Sequence, residues 1–354
     1  AGPLRMRYLL VGLGNIGGKR RAVLGERCVA TVDPFNDAAD FSEPEECSID
    51  RYDAAILAVP NDVKVRLMEF FLSHGKHVLV EKPLILDEET AAQLSRAARA
   101  GGAVWYTSYN FRFEPNVLAL KRHLEGGDIG RVYRVRMFYG NGTAGNIAGT
   151  WRDSPLGIIE DMASHLIDLS GFVFGRFGSE FRVWERRGYE LKGFDHCMLA
   201  TTDRELTIEC SFLSWKNRWR IEVLGEGGAL EMNGLTKWGK SELLILRRRR
   251  PSGVPDERRE IANGPDPTWA ADIRHFEEMA ATGATSCAND LWLSRTVQAA
   301  AVAHRPTPTV TAPAMTKTPS PIANGASALP PRVQAQTMAI TTSAATPAAS
   351  SRWV

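Results

Sequence analysis

The chain has 354 residues, 44% hydrophobic and 24% charged, with a formal net charge of +2. This is globular composition and enough chain for two domains. The near-balanced charge gives no electrostatic case for nucleic acid, and no apolar run approaches the roughly 20 residues of a membrane span.

Five scattered cysteines (Cys28, Cys47, Cys197, Cys210, Cys287) form no C-x-x-C pair. That indicates neither a disulfide framework nor a zinc site and fits a reducing cytoplasmic setting. Ala1 to Leu4 lacks an initiating Met and reads as an expression scar. The basic and apolar start that follows mimics a signal peptide, but glycines and charge interrupt it too early.

In chain order, Tyr8–Val11 is a short strand that runs straight into Gly12-Leu13-Gly14-Asn15-Ile16-Gly17. This is G-x-G-x-x-G between a strand and a helix, the context that gives the motif meaning. Gly12 allows the tight turn, Gly14 lets the backbone approach a pyrophosphate, and Gly17 lets helix pack on strand. A second strand, 28–32, ends at Asp33, where a ribose-binding carboxylate is expected; this favours NAD over NADP. Lys19, Arg20 and Arg21 keep NADP open, and Asp33-Pro34 also reads as a turn start.

A third buried strand spans 54–59 and ends at Pro60-Asn61, a loop expected near the nicotinamide ribose. A helix over 63–74 leads to Val78-Leu79-Val80-Glu81-Lys82-Pro83. Lys82 at the end of a buried strand either turns outward into water or serves a site, because an unpaired buried ammonium is costly. A helix over 94–100 and a strand over 104–107 complete an alternating pattern, which predicts a doubly wound parallel sheet.

Residues 116–124 read as a helix, and from Val132 the texture alternates apolar and polar. Segments 132–138, 197–200, 206–212, 219–224, 229–232 and 243–246 predict an open antiparallel sheet with flanking helices. Arg247 to Arg250 reads as a solvated hairpin end.

Before the later strands, Ser154 can cap a helix with Pro155 at its first position. Asp161, Ser164, His165 and Asp168 then share one helical face. A solvated stripe is the competing reading; a metal cluster lacks further ligands, so no metal is expected. Late helices opening at Ala271 and over 291–303 are expected to pack back on the first half. After Arg305 the chain is rich in Pro, Thr, Ser and Ala and reads as a disordered tail.

Together, the strand–GLGNIG–helix unit, Val80-Glu81-Lys82-Pro83 and Asp161/His165/Asp168 resemble the glucose–fructose oxidoreductase, inositol dehydrogenase and MocA (Gfo/Idh/MocA) family. The resemblance covers residues 5 to 305. It implies an N-terminal Rossmann domain (5–115), a C-terminal domain with an open antiparallel sheet (116–305) and a tail (306–354). It also implies a homo-oligomer, dimer or tetramer, formed through that sheet. The catalytic lysine lands on Lys82, and the aspartate and histidine on Asp161 and His165. The peptide before Pro83 is commonly cis in the family. Asn110-Phe111-Arg112-Phe113-x-Pro115 resembles the segment leading out of the first domain, which places Arg112 near substrate. Thr150-Trp151-Arg152 resembles a segment that reaches nicotinamide and substrate.

Two departures stand out: only Gly157 remains where the family often has three glycines, and Lys64 stands where a histidine often follows Pro-Asn. The first bears on the shape of the substrate pocket and the second on a cofactor contact.

The implied cofactor set is Gly12, Gly14, Asn15, Ile16, Gly17, Asp33, Pro60, Asn61, Glu81, Lys82, Trp151 and Arg152. The implied activity is NAD(P)-dependent hydride transfer at a ring secondary alcohol or ketone of a sugar, cyclitol or sugar nucleotide, with amino-sugar biosynthesis as one setting. His165 is expected to act as general base because imidazole titrates near working pH. Lys82 would hold the same oxygen, and Asp161 would bind a substrate hydroxyl and bias His165. Arg134, Arg136, Arg152 and Lys216 leave room for a phosphorylated or nucleotide-linked sugar. Alternatives are an NAD-binding sensor without turnover, an interaction protein acting through its sheet and tail, and a sugar–sugar oxidoreductase with a non-dissociating cofactor.

Overall fold

A computed structural model describes residues 6–302; the expectations for residues 1–4 and for the tail at 306–354 lie outside the described residues. The first half alternates β1 (Tyr8–Val11), α1 (Asn15–Leu24), β2 (Cys28–Val32), β3 (Ala54–Leu57), α2 (Asn61–Ser73), β4 (His77–Glu81), α3 (Glu88–Gly101) and β5 (Trp105–Ser108). The strands form a five-stranded sheet in the order β2-β1-β3-β4-β5 with every neighbouring pair parallel. Every residue of β1 and β3 is buried, because helices cover both faces; hence the unbroken apolar runs in the sequence. Met68, Phe71 and Leu94 from α2 and α3 close one face. Each such side chain contributes about 1.5–3 kcal/mol by leaving water. The strand order reverses between β1 and β3, and a crevice opens at their carboxyl ends, where ligands of such sheets bind.

The chain continues through α4 (Pro115–Glu125), β6 (Val132–Gly140), α5 (Ala144–Ile147) and α6 (Ser164–Phe174). Six strands follow: β7 (Phe181–Arg187), β8 (His196–Thr201), β9 (Leu206–Ser211), β10 (Arg218–Gly225), β11 (Gly228–Asn233) and β12 (Ser241–Arg247). Then come β13 (Asp256–Ala262), α7 (Thr268–Thr282) and α8 (Cys287–Val302). The second sheet has eight strands in the order β13-β12-β11-β10-β6-β9-β8-β7. One face packs Val135, Ile208, Ile221 and Ile245 against Leu120 of α4 and Leu166 of α6. The Arg247–Arg250 run does end the β12–β13 hairpin.

Several details differ from the sequence expectation. The sheet is mixed, since β6 and β9 run parallel. Both of its edges, β7 and β13, were absent from the expected strands. Arg258 and Arg259 of β13 are exposed and charged, as edge strands that resist further pairing are. Residues 151–156 are turns, so the Ser154-Pro155 helix start does not form. The backbone becomes helical at Gly157 and passes at once into a π-helical turn, Ile159–Ala163, before α6.

The late helices return to the first sheet. Ile273 and Phe276 of α7 pack on Tyr8, Leu10 and Ile56. Ser294 of α8 accepts a hydrogen bond from Leu86 N at 2.9 Å. All five cysteines are free thiols. Among the described residues, no helix is long and apolar enough to cross a membrane.

Candidate active site

The glycine turn is built as its sequence demands. Gly12 has φ +93°, and a Cβ there would lie 2.3 Å from Ala58 O. A Cβ on Gly17 would lie 1.9 Å from Gly12 O, so helix α1 touches the turn it follows. A Cβ on Gly14 would meet nothing within 4 Å, which leaves open space above the turn. Gly14 caps α1 without a side-chain bond, so the helix's first N–H groups remain free for an anion. Asn15 opens α1 and Ile16 faces the cleft. Asp33 closes the back of the turn, accepting from Leu13 N at 2.7 Å and Phe35 N at 2.9 Å. An open turn, a free helix terminus and a carboxylate after β2 together fit a dinucleotide.

The cleft beside this turn has a volume of about 770 Å³. Ile16, Lys19, Ala58, Val59, Glu81 and Lys82 line it from the parallel-sheet side. Trp151, Arg152, Asp161, His165, Lys237 and Trp238 face them. Pro60 and Asn61 follow Val59 in the chain but do not line the cleft, and the Asn61 side chain accepts from Lys64.

Lys82 enters at the end of β4, and the Lys82–Pro83 peptide is cis. Its Nζ donates to Asp161 O at 2.6 Å and to Asp161 Oδ1 at 3.0 Å. The strap around it is pinned from behind by Lys64. Lys64 is 2% exposed, and its Nζ donates to Asn61 Oδ1 (2.7 Å), Glu81 O (2.6 Å) and Pro83 O (2.7 Å). Three acceptors match the three N–H donors of an ammonium. Burial nevertheless pulls the Lys64 pKa down to about 7, against the attraction of Glu81. Glu81 itself is held by Arg20, a fully buried guanidinium that also pairs with Asp272 at 2.7 Å.

Asp161 lies in the π turn. Burial alone would raise its pKa, yet Lys82 and Arg152 hold it below the ordinary carboxylate value. Arg152 Nε stands 3.1 Å from Asp161 Oδ2. His165, at the start of α6, stacks on Phe111 with ring centres 4.1 Å apart, and its Nδ1 is buried without a partner. Burial, then the charges of Lys82 and Lys237, push its pKa well below 6.5. The imidazole is therefore neutral, and the expectation that it titrates near working pH is corrected. Asp161 does not offset this, because its charge is spent on Lys82 and Arg152.

Residues 6–109 match the model of an oxidoreductase family with an NAD-binding Rossmann fold. Residues 117–231 match the Gfo/Idh/MocA C-terminal domain. The chain belongs to the Gfo/Idh/MocA oxidoreductase family. Inositol 2-dehydrogenase of Rhizobium meliloti is 30% identical over 186 residues, 49% of this chain and 56% of that protein. A scyllo-inositol 2-dehydrogenase (NADP(+)) of Bacillus subtilis is 36% identical over 115 residues, covering 32% of this chain and 34% of that protein. The chain thus spans about half or less of the length of these relatives. Levoglucosan dehydrogenase in complex with NADH and levoglucosan shares the fold at TM-score 0.69 and 17% identity, over 84% of this chain and 97% of that one.

Within this Gfo/Idh/MocA frame some expected residues leave the cleft. Arg112 does not line it; its guanidinium pairs with buried Asp168, with Nε donating at 2.7 Å, and faces a separate hollow near His275. Asp168 also accepts from Asn289, and Ser164 turns back to donate to Glu160 O. The π turn explains this: its wider ring spoils the i, i+7 alignment that a regular helix gives. Arg134 and Arg136 lie on the outer face of the second sheet. Lys64, which stands where the family often has a histidine, is turned inward. Three features went unforeseen: the Phe111 stack, the Lys64 staple and Lys237. Only the Asn110–Pro115 segment carried a sequence hint, and that hint singled out Arg112 rather than Phe111.

Proposed function

We propose that this chain is an NAD-dependent dehydrogenase acting on a secondary alcohol of a sugar-like or cyclitol ring. The observation that carries the reading is that Lys82, Asp161 and His165 line one cleft together with the carboxyl ends of β3 and β4 and the first turn of α1. A bound nicotinamide dinucleotide supplies the hydride acceptor. Gly12, Gly14, Asn15, Ile16 and Gly17 would hold its phosphates, Asp33 would hold its ribose, and Pro60, Asn61, Glu81 and Trp151 would serve the nicotinamide end.

In this reading Lys82 donates to the reacting oxygen and stabilises its developing negative charge. Neutral His165 takes the carbinol proton at Nε2, since Nδ1 is shut away. Asp161 orients Lys82 and receives a substrate hydroxyl, and Arg152 fixes Asp161. Residues 5–115 form the cofactor side and residues 116–305 the substrate side, which joins copies of the chain through its sheet. NAD is preferred because Asp33 opposes a 2′-phosphate and Arg20, one candidate to bind it, is committed to Glu81 and Asp272.

The test is a panel of sugars, cyclitols and sugar nucleotides assayed for reduced cofactor with NAD and NADP. The reading expects turnover with at least one ring alcohol, faster with NAD. NAD binding without reduction of cofactor by any panel member would favour a sensor instead.

A further inference from the structure

The cleft contains a cation for which the proton relay has no use. Lys237 sits on a single turn, Thr236–Trp238, joining β11 to β12. That turn is fixed from below: Thr236 N and Oγ1 donate to the buried carboxylate of Glu114 at 3.1 and 2.8 Å. The Lys237 Nζ stands 4.2 Å from the Phe111 ring centre, 4.6 Å from Trp238 and 5.6 Å from Tyr139. Aromatic faces attract an ammonium but leave its N–H donors unspent.

Among the described residues no carboxylate or other acceptor meets this ammonium. Two acids of the cleft are paired with other cations, Asp161 with Lys82 and Arg152 and Glu81 with Arg20, while Asp266 accepts from Thr268 N and forms no ion pair with Lys237. Lys237 is exposed to the cleft; the surrounding protein first, and then Lys82, lower its pKa to about 7 against the more distant pull of Asp266 and Asp161, neither of which hydrogen-bonds it. Phe111 is shared between Lys237 and His165, each about 4 Å from its centre. The ammonium and the imidazole therefore border the same cleft, with Phe111 packed against both.

We propose that Lys237 receives an anionic group, a carboxylate or a phosphate, carried by the ring whose carbinol meets Lys82 and His165. The inference rests on the dehydrogenase reading and narrows it: the substrates are acidic sugars or cyclitols, not neutral ones. The three aromatic rings hold the ammonium upright without neutralising it, and the arriving anion supplies the missing acceptor.

The experiment compares matched probes on the full-length protein with NAD: D-glucose, D-glucuronate and D-glucose 6-phosphate, then myo-inositol and a myo-inositol monophosphate. The expected result is a kcat/KM at least about tenfold higher for an acidic member than for its neutral parent, the size of one charge-assisted hydrogen bond. In Lys237→Met that ratio falls to about one through KM, whereas Lys237→Arg, which keeps the charge, keeps the ratio. Glucuronate against glucose 6-phosphate tells carboxylate from phosphate. Neutral members reacting as well as acidic ones, or a preference that survives Lys237→Met, would overturn the inference while leaving the dehydrogenase intact.

If no probe reduces NAD, the dehydrogenase reading fails for this panel, and calorimetry on the NAD-loaded protein decides the rest. Glucuronate or glucose 6-phosphate binding that is lost in Lys237→Met and kept in Lys237→Arg sustains the anion site. Binding absent, or indifferent to Lys237→Met, removes it.

Discussion

Phe111 lies nearly flat on His165, their ring centres 4.1 Å apart and their planes 16° apart. The stack denies one face of the imidazole any polar partner, and Nδ1 has none either. A proton added here would enter an apolar site between two ammonium groups. Its pKa is accordingly well below 6.5, through burial first and then Lys82 and Lys237.

The pH dependence follows with its sign. A histidine whose folded pKa lies below its unfolded value is neutral in the folded protein at all pH above that lower value. The acid limb of kcat/KM for alcohol oxidation should therefore show no His165 inflection near 6.5. In the same window the unfolded chain binds a proton that the folded one refuses. Stability should then fall as pH drops below about 6.5, by at most about 1.4 kcal/mol per pH unit from this residue. Denaturant titrations at several pH values, run beside His165→Phe, read this slope. An inflection at 6.5 that disappears in the variant would show that the imidazole titrates freely.

In the proposed reaction Lys82 and His165 are not interchangeable supports of a shape; each would handle charge that changes as hydride leaves. Lys82→Ala or His165→Ala should lower kcat by about two decades or more, the ordinary range for acid–base help, with the far-UV circular dichroism spectrum retained. A folded variant turning over at the parent rate would strip that residue of its assigned role.

Lys64 acts at one remove. Its ammonium ties Glu81 O to Pro83 O, the two carbonyls on either side of Lys82. Lys64→Met keeps the length of the side chain and removes all three donors. Buried acceptors left unpaired cost about 1–3 kcal/mol, so the variant should be less stable by that order. Because the strap carries Lys82, kcat should fall more than KM rises. A loss of stability with kinetics unchanged would make Lys64 a purely structural residue.

How much of this is legible in the sequence depends on how local the cause is. Buried parallel strands are apolar runs closed by Gly, Asp or Pro, so β1 to β5 and the turn at Gly12 can be read directly. The edge strands cannot: Asp256 to Ala262 carries five charged residues because one side faces water and no neighbour follows. The polar face drawn through Asp161, Ser164, His165 and Asp168 assumes a regular helix. The π turn at Ile159–Ala163 breaks it, sending Asp168 to Arg112 while Asp161 meets Lys82. Lys237 has no local signature at all. Its place is set by Glu114, which lies 122 residues before the Thr236 that it anchors, and by rings from two other segments, Phe111 and Tyr139. The Gfo/Idh/MocA resemblance points to the residues proposed to act on the bond, but it does not supply the surroundings that set their charge.

Asp33 offers the last test, on cofactor choice. Its two oxygens already accept from Leu13 N and Phe35 N, so the carboxylate is held in place at the end of β2 rather than free to swing aside. A 2′-phosphate arriving there would meet a fixed negative charge, and Arg20 is buried in its pairs with Glu81 and Asp272. The wild-type protein should therefore favour NAD over NADP in kcat/KM. Asp33→Asn removes the charge while keeping an amide oxygen for the turn, so the discrimination should narrow by about tenfold or more without collapse of the fold. The ratio of the two cofactors' kcat/KM values, measured at one saturating substrate concentration, decides it. Equal discrimination before and after the substitution would mean that steric fit or Lys19 and Arg21, not the carboxylate, select the dinucleotide.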